Sequence, residues 1–114
     1  MNRVDIYNIL NSVAPCKSTM DLDGVIKQDT LGIKKSNSIG GISNDLGGWT
    51  QWKVFVYSPS NPLQVDRLAL KVKKQLMKNE IENTHELGED FYDPVLKCYT
   101  TVISFRLPST LYYK

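Results

Sequence analysis

His85 is the only histidine in the 114 residues, so His-pair metal sites and zinc motifs of the His-Glu type lack their second imidazole. Lying in a polar connection, it reads as a solvated loop residue. Cys16 and Cys98 have no neighbouring cysteine and no evident activating base, so they read as buried free thiols rather than nucleophiles or a redox pair. The carboxylates Glu86, Glu89, Asp90 and Asp93 are the types a hard cation wants, but their spacing does not match the twelve-residue calcium loop. Asp21-Leu22-Asp23-Gly24 lacks the later ligands of that loop as well, and both stretches read as solvated turns. The glycine pairs Gly40-Gly41 and Gly47-Gly48 are not followed by Gly-Lys-Ser/Thr and lead into a strand, which argues against a phosphate cradle. No acid, base, nucleophile and oxyanion set can be assembled. The expectation is a non-enzymatic chain with no catalytic residues, no metal and no cofactor.

One charge feature has geometry behind it. Arg67, Lys71, Lys74 and Lys78 recur at four, three and four residues, which places them on one side of a helix. Such a stripe is either the solvated face of an amphipathic helix, with lysines favoured near its C-terminus, or a phosphate-contacting face. Net charge is only +2, from 14 Lys and Arg against 12 Asp and Glu, so overall charge does not by itself imply a polyanion partner.

Hydrophobic residues make up 41% and charged residues 23%, an ordinary globular composition, and a chain of this length is expected to bury one core as a single domain, 1–114. Two cysteines are too few for a disulfide scaffold, and the N-terminal residues lack the pattern of a secretion signal, so a reducing cytosol is expected. Apolar runs of three or four residues cannot span a bilayer.

The elements that must position these residues follow from periodicity. Residues 2–13 place Val4, Ile6, Tyr7, Ile9, Leu10 and Val13 on one broad helical face, and Pro15 stops the helix near Ala14. Residues 18–36 read as weak short strands with Asp23-Gly24 as a hairpin turn, and residues 36–48, rich in Gly, Ser and Asn, as a long flexible loop. Residues 49–57 are the clearest strand: Trp52, Val54 and Val56 alternate onto one face, with Gln51, Lys53, Phe55 and Tyr57 on the other. Asn61 as N-cap, Pro62 at the first helical position and Gln64 completing a capping box open a second helix, 62–78, whose apolar stripe is Val65, Leu68, Ala69, Val72 and Leu76. An acidic connection, 80–94, leads to a final strand, 95–107, and a short tail, 108–114. The order α-β-β-β-α-β implies an α+β two-layer sandwich: a small, mostly antiparallel sheet of about four strands packed by two helices, with a long loop before the central strand.

Apolar Ile39, Ile42 and Leu46 punctuate the loop, which suggests a segment that orders against a partner. Layout and sequence together resemble the tail terminator, or tail-completion, proteins of tailed bacteriophages, also called tail-to-head joining proteins. The resemblance lies in the helix Val4-Asp5-Ile6-Tyr7-Asn8-Ile9-Leu10 and the strand Trp52-Lys53-Val54-Phe55-Val56-Tyr57-Ser58. It continues through the amphipathic helix and the return Cys98-Tyr99-Thr100-Thr101-Val102-Ile103-Ser104-Phe105-Arg106, covering most of the chain.

The resemblance implies a virion structural protein, assembled in the bacterial cytoplasm. It would form a hexameric ring on the tail tube, stop tube growth and present a surface to the head connector. Partners would be further copies of itself, the tail tube protein and the connector or head-completion protein, with DNA only passing through the lumen and no membrane. Candidate contact residues are Ile39, Gly40, Gly41, Ile42 and Leu46 in the loop, Trp49 and Phe55 if their strand is an edge, and Leu111, Tyr112 and Tyr113 in the tail. Trp49 and Phe55 can equally cover one face of the core. Arg67, Lys71, Lys74 and Lys78 would be a lumen or charged contact face. Two alternatives stand beside this: another phage neck or tail-assembly factor, and a small nucleic-acid-binding module using the basic helix.

Overall fold

The computed structural model of the chain describes residues 3–22, 24–39, 49–79, 81–83 and 90–108. Helix α1 (Arg3–Leu10) is followed by β1 (Cys16–Ser18), a single 3-10 turn (Thr19–Asp21), β2 (Thr30–Ile39) and β3 (Trp49–Ser58). Then come α2 (Pro62–Lys78), β4 (Glu82–Asn83), β5 (Phe91–Asp93) and β6 (Cys98–Pro108). The sheet order is β1-β2-β3-β6-β4, with β5 on the same edge of β6 as β4. Every pairing is antiparallel except β1 with β2. The fold is α+β, as the pattern predicts.

Both helices cover one face of this sheet. Ile6 and Leu10, one turn apart on α1, and Val65, Leu68, Val72 and Leu76 on α2 bury against Leu31 and Ile33 of β2, Trp52, Val54 and Val56 of β3, and Ile103, Phe105 and Leu107 of β6. Trp52 stacks on Phe105 with centroids 6.5 Å apart, and the Arg3 guanidinium lies 5.1 Å from the Trp52 ring centroid. A cation over an indole is worth about 0.5–1 kcal/mol at an exposed site, a small addition to the burial of Ile6 and Leu10 that seats α1 on the sheet. Helix α1 stops at Leu10, short of the expected Val13. Ala14 N still donates to Leu10 O, but Asn11 Oδ1 accepts from Cys16 N at 2.9 Å and Pro15 ends any continuation.

The cap of α2 is as expected on one side. Asn61 Oδ1 accepts from Gln64 N at 2.9 Å with Pro62 next in line. In place of the reciprocal arm expected from Gln64, its Nε2 donates to Asp29 Oδ2 at 2.8 Å, tying the start of α2 to the residues before β2.

Four expectations are corrected. Of the hairpin turn expected at Asp23-Gly24, Asp23 lies outside the described residues; Gly24 has the positive φ of 75°, but the strands on either side, β1 and β2, pair in parallel, which requires a crossing connection rather than a tight turn. Residues 36–39 of the span expected as a loop belong to β2, paired with β3 through Ile39 and Trp49, and the rest of that span, 40–48, lies outside the described residues. The acidic connection 80–94 contributes two short strands to β6. Residues 95–97 belong to the turn between β5 and β6, not to the last strand. In that turn Asp93 Oδ1 accepts from Val95 N and Leu96 N at 2.9 and 3.0 Å, and Lys97 takes φ 56°.

Apart from the 3-10 turn that begins at Thr19, no helix among the described residues lies on the second sheet face. One end of it carries a small cluster of Ile26, Tyr57 and Cys98 with Leu22, Phe55 and Leu96 packed against it. Gly32 of β2 lies under this cluster, where a Cβ would come within 3.0 Å of both Thr19 Cγ2 and Tyr57 Cε2. The crossing connection can lie on the sheet because that position has no side chain.

Candidate functional site

The described residues separate the candidate positions into three groups. Arg67, Lys71, Lys74 and Lys78 are all exposed on α2, on the side opposite its buried stripe, while exposed Lys73 lies on the flank of the helix toward β6. Neighbours three and four apart on a helix sit about 5–6 Å apart at Cβ, and like charges there repel by about 0.2–0.5 kcal/mol per pair. The helix keeps them because its burial and its cap outweigh that repulsion. The result is a continuous cationic strip along its outer face.

The second group concerns β3. It is a central strand, paired along its length with β2 on one side and β6 on the other, so it offers no edge to a partner. Phe55 is half-buried and stacks on Tyr57 at 6.2 Å and 15°, serving as cover for the small second cluster. Trp49 and Ile39 are described by backbone alone, opposite one another across β2 and β3, with Pro108 on the far side of Trp49. The third group, Gly40, Gly41, Ile42, Leu46, Leu111, Tyr112 and Tyr113, lies outside the described residues, as do His85, Glu86 and Glu89.

Chemistry at the remaining polar groups is explained locally. Asp93, considered above as a cation ligand, caps the β5–β6 turn. Among the described residues no cluster of three or more His, Cys, Asp or Glu is placed to hold a metal. Burial pushes the Cys16 thiol up to about 12. Cys98 is raised by burial, against an opposing hydrogen bond with Thr100 at 3.7 Å. Tyr57 is pushed up to about 12, chiefly by burial, with Cys98 and Asp93 adding to the shift. Thiols held this far above neutrality are poor nucleophiles.

The sheet edges carry contact surface that sequence reasoning missed. Strand β1 covers β2 only at Leu31–Ile33, so from Lys34 to Ile39 the outer side of β2 has no strand partner among the described residues. A notch of about 300 Å³ opens where β1 stops, lined by Arg3, Ser18, Thr19, Met20, Ile33, Lys34 and Lys35. At the opposite edge, β5 pairs among the described residues only with β6 and leaves Phe91 and Tyr92 half-exposed. A shallow groove of about 260 Å³ runs there between Tyr92, Tyr99 and the start of α2 at Pro62 and Val65. The aromatic pair Phe91-Tyr92 amid carboxylates was the available signal, masked by the acidic composition around it.

Comparison with protein-family models and with characterised proteins finds no match for the chain. Among the described residues no helix is long and apolar enough to cross a membrane.

Proposed function

We propose that the chain is a tail terminator subunit of a tailed bacteriophage, forming a hexameric ring that caps the tail tube, stops its polymerisation and presents a surface to the head connector. The observation that carries this reading is the layout: two helices on one face of a sheet whose long central strands, β2, β3 and β6, follow the order that the resemblance implies. A sheet whose two edges, among the described residues, are unpaired along part of β2 and along β5 suits a subunit whose neighbours differ on its two sides, as heterologous ring closure requires. Its partners are further copies of itself, the tube protein and the connector, and its place is the head–tail joint of the virion.

The test is polymerisation of tail tube protein with and without the purified chain, read by electron microscopy. Capped tubes of arrested length, with the chain at one end, are expected. Tubes that grow at the same rate and bear no chain at their ends would refute the proposal. Affinity purification from particle-producing cells gives a second readout, in which tube and connector proteins are expected to accompany the chain.

The exposed cationic strip of α2 favours one alternative, a nucleic-acid-binding module. Lys71→Glu with Lys74→Glu distinguishes the two. A binding module loses DNA or RNA affinity and its steep salt dependence, whereas a terminator with a solvated strip retains capping.

A further inference from the structure

We infer that copies of this chain join edge to edge, the β5 edge of one copy docking antiparallel against the open half of β2 in the next, so that the sheet continues across the interface. This rests on the ring reading above and names its contact surface.

The two edges are complementary in charge. Alternation along an extended strand puts Lys34 and Lys35 on opposite faces, so the two exposed lysines bracket the open edge of β2 from above and below, with Arg3 beside Lys35 in the notch. Exposed Asp90 leads directly into β5 and supplies the opposing charge there. Phe91 and Tyr92 bracket the β5 edge as the lysines bracket β2, offering aromatic faces to cations. Lysines and a bulge, here between Lys35 and Asn37, are how edge strands resist indiscriminate pairing, and an acidic strand is the partner such an edge admits.

Topology sets the direction. Strands β2 and β6 both run antiparallel to β3, and β5 runs antiparallel to β6. A rotation that preserves strand direction therefore sets β5 antiparallel to the neighbour's β2. In that orientation the turn after β5 points toward the end of β1. It carries Val95, 75% exposed, to the notch beside Met20, 83% exposed, and both are large apolar side chains otherwise left in water.

The stagger suits closure. Phe91 is level with Thr100, Tyr57 and Thr30 within one copy. To clear β1 in the neighbour, Asp93 must fall at Lys34 or beyond, which places Phe91 at Ser36, six residues further along β2. Six residues at about 3.4 Å over four strands at about 4.8 Å correspond to a strand tilt of about 45°, at the upper end of tilts in closed barrels.

The experiment uses sedimentation of the full chain in low salt, with Lys34→Glu/Lys35→Glu as one variant and Asp90→Lys as the other. Asp93 is left intact because it caps the turn, and Lys34→Glu faces Lys53 across the strand pair, which should aid folding. Unchanged far-ultraviolet circular dichroism checks that both variants fold. Wild type is expected as multiples of 13.0 kDa that dissociate in 1 M salt. Each variant alone should need at least tenfold higher concentration to assemble, and an equimolar mixture should restore assembly, because each reversed edge then meets its complement. Wild-type rings indifferent to both reversals would overturn this interface and leave the ring reading intact. Single chains at millimolar concentration, in wild type and mixture alike, would overturn both.

Discussion

Replacing Gly32 by alanine should destabilise this protein, although a glycine inside a strand is ordinarily a position that alanine improves. Alanine restricts the unfolded chain and would contribute about 0.4–1 kcal/mol if the native site accepted it. Here the new Cβ would sit 3.0 Å from Thr19 Cγ2, 3.0 Å from Tyr57 Cε2 and 3.4 Å from Leu22 Cδ1. None of the three can easily retreat. Tyr57 is held by Phe55, Ile26 and Cys98, and Thr19 opens the 3-10 turn whose cap is the Ser18 hydroxyl, accepting from Met20 N at 3.2 Å. Overpacking a filled site costs about 1–3 kcal/mol, so the net loss should be about 1–2 kcal/mol. For a domain of this size that lowers the Tm by about 4–8 °C. Urea unfolding followed by tryptophan fluorescence should show a lower midpoint at unchanged m. Thr19→Ser, which removes the offending methyl, should recover about 0.5 kcal/mol or more in the double variant. A Gly32→Ala protein as stable as wild type would refute the close packing of the crossing connection on the sheet.

Three further outcomes follow from the same packing. Asn61→Ala removes the acceptor for Gln64 N and should cost about 1 kcal/mol in chemical denaturation, whereas Asn61→Asp should preserve stability. Leu10→Ala empties a fully buried site between α1 and the sheet and should cost about 2–5 kcal/mol, read as a lowered urea midpoint. Stability should fall at alkaline pH. Cys16 and Tyr57 are each raised to about 12 from 9.0 and 10.0, so above pH 9 the unfolded chain loses protons that the folded chain retains. Their contribution is complete below pH 9 and is lost as pH rises through about 12. Cys16→Ala should flatten the first part of that decline in a Tm-against-pH series.

Legibility in the sequence tracked how local each signal is. Helix α2 could be placed to the residue because Asn61, Pro62 and a stripe at helical spacing all lie within one stretch. Strand β3 was legible from alternation, since Trp52, Val54 and Val56 are buried while Gln51 and Lys53 are half-exposed. The second half of β2 was not. Lys34-Lys35-Ser36-Asn37-Ser38 has poor strand propensity, and it is extended because β3 offers a full ladder of backbone partners. The β5–β6 hairpin was hidden for a related reason: Asp93 read as one carboxylate of a solvated turn, and its role as a turn cap depends on the backbone of Val95 and Leu96. Of the candidate surfaces, the strip on α2 was readable because one helix presents all four cations. The open edges were not, because an edge is a property of which strands pair.

What the sequence alone determined is the set of elements whose signals repeat within a turn or a strand: the two helices, β3 and most of β6, together with the burial of Cys98, whereas Cys16, expected buried as well, is only partly covered. Tertiary structure alone decided the parallel pairing of β1 with β2, the need for glycine at position 32 and the central place of β3. Periodicity reports which face of an element is apolar, and that is enough to build each element and orient it toward a core. Strand neighbours and open edges are set by backbone hydrogen bonds between distant segments, whose groups are alike at every residue and leave no mark in the pattern of side chains.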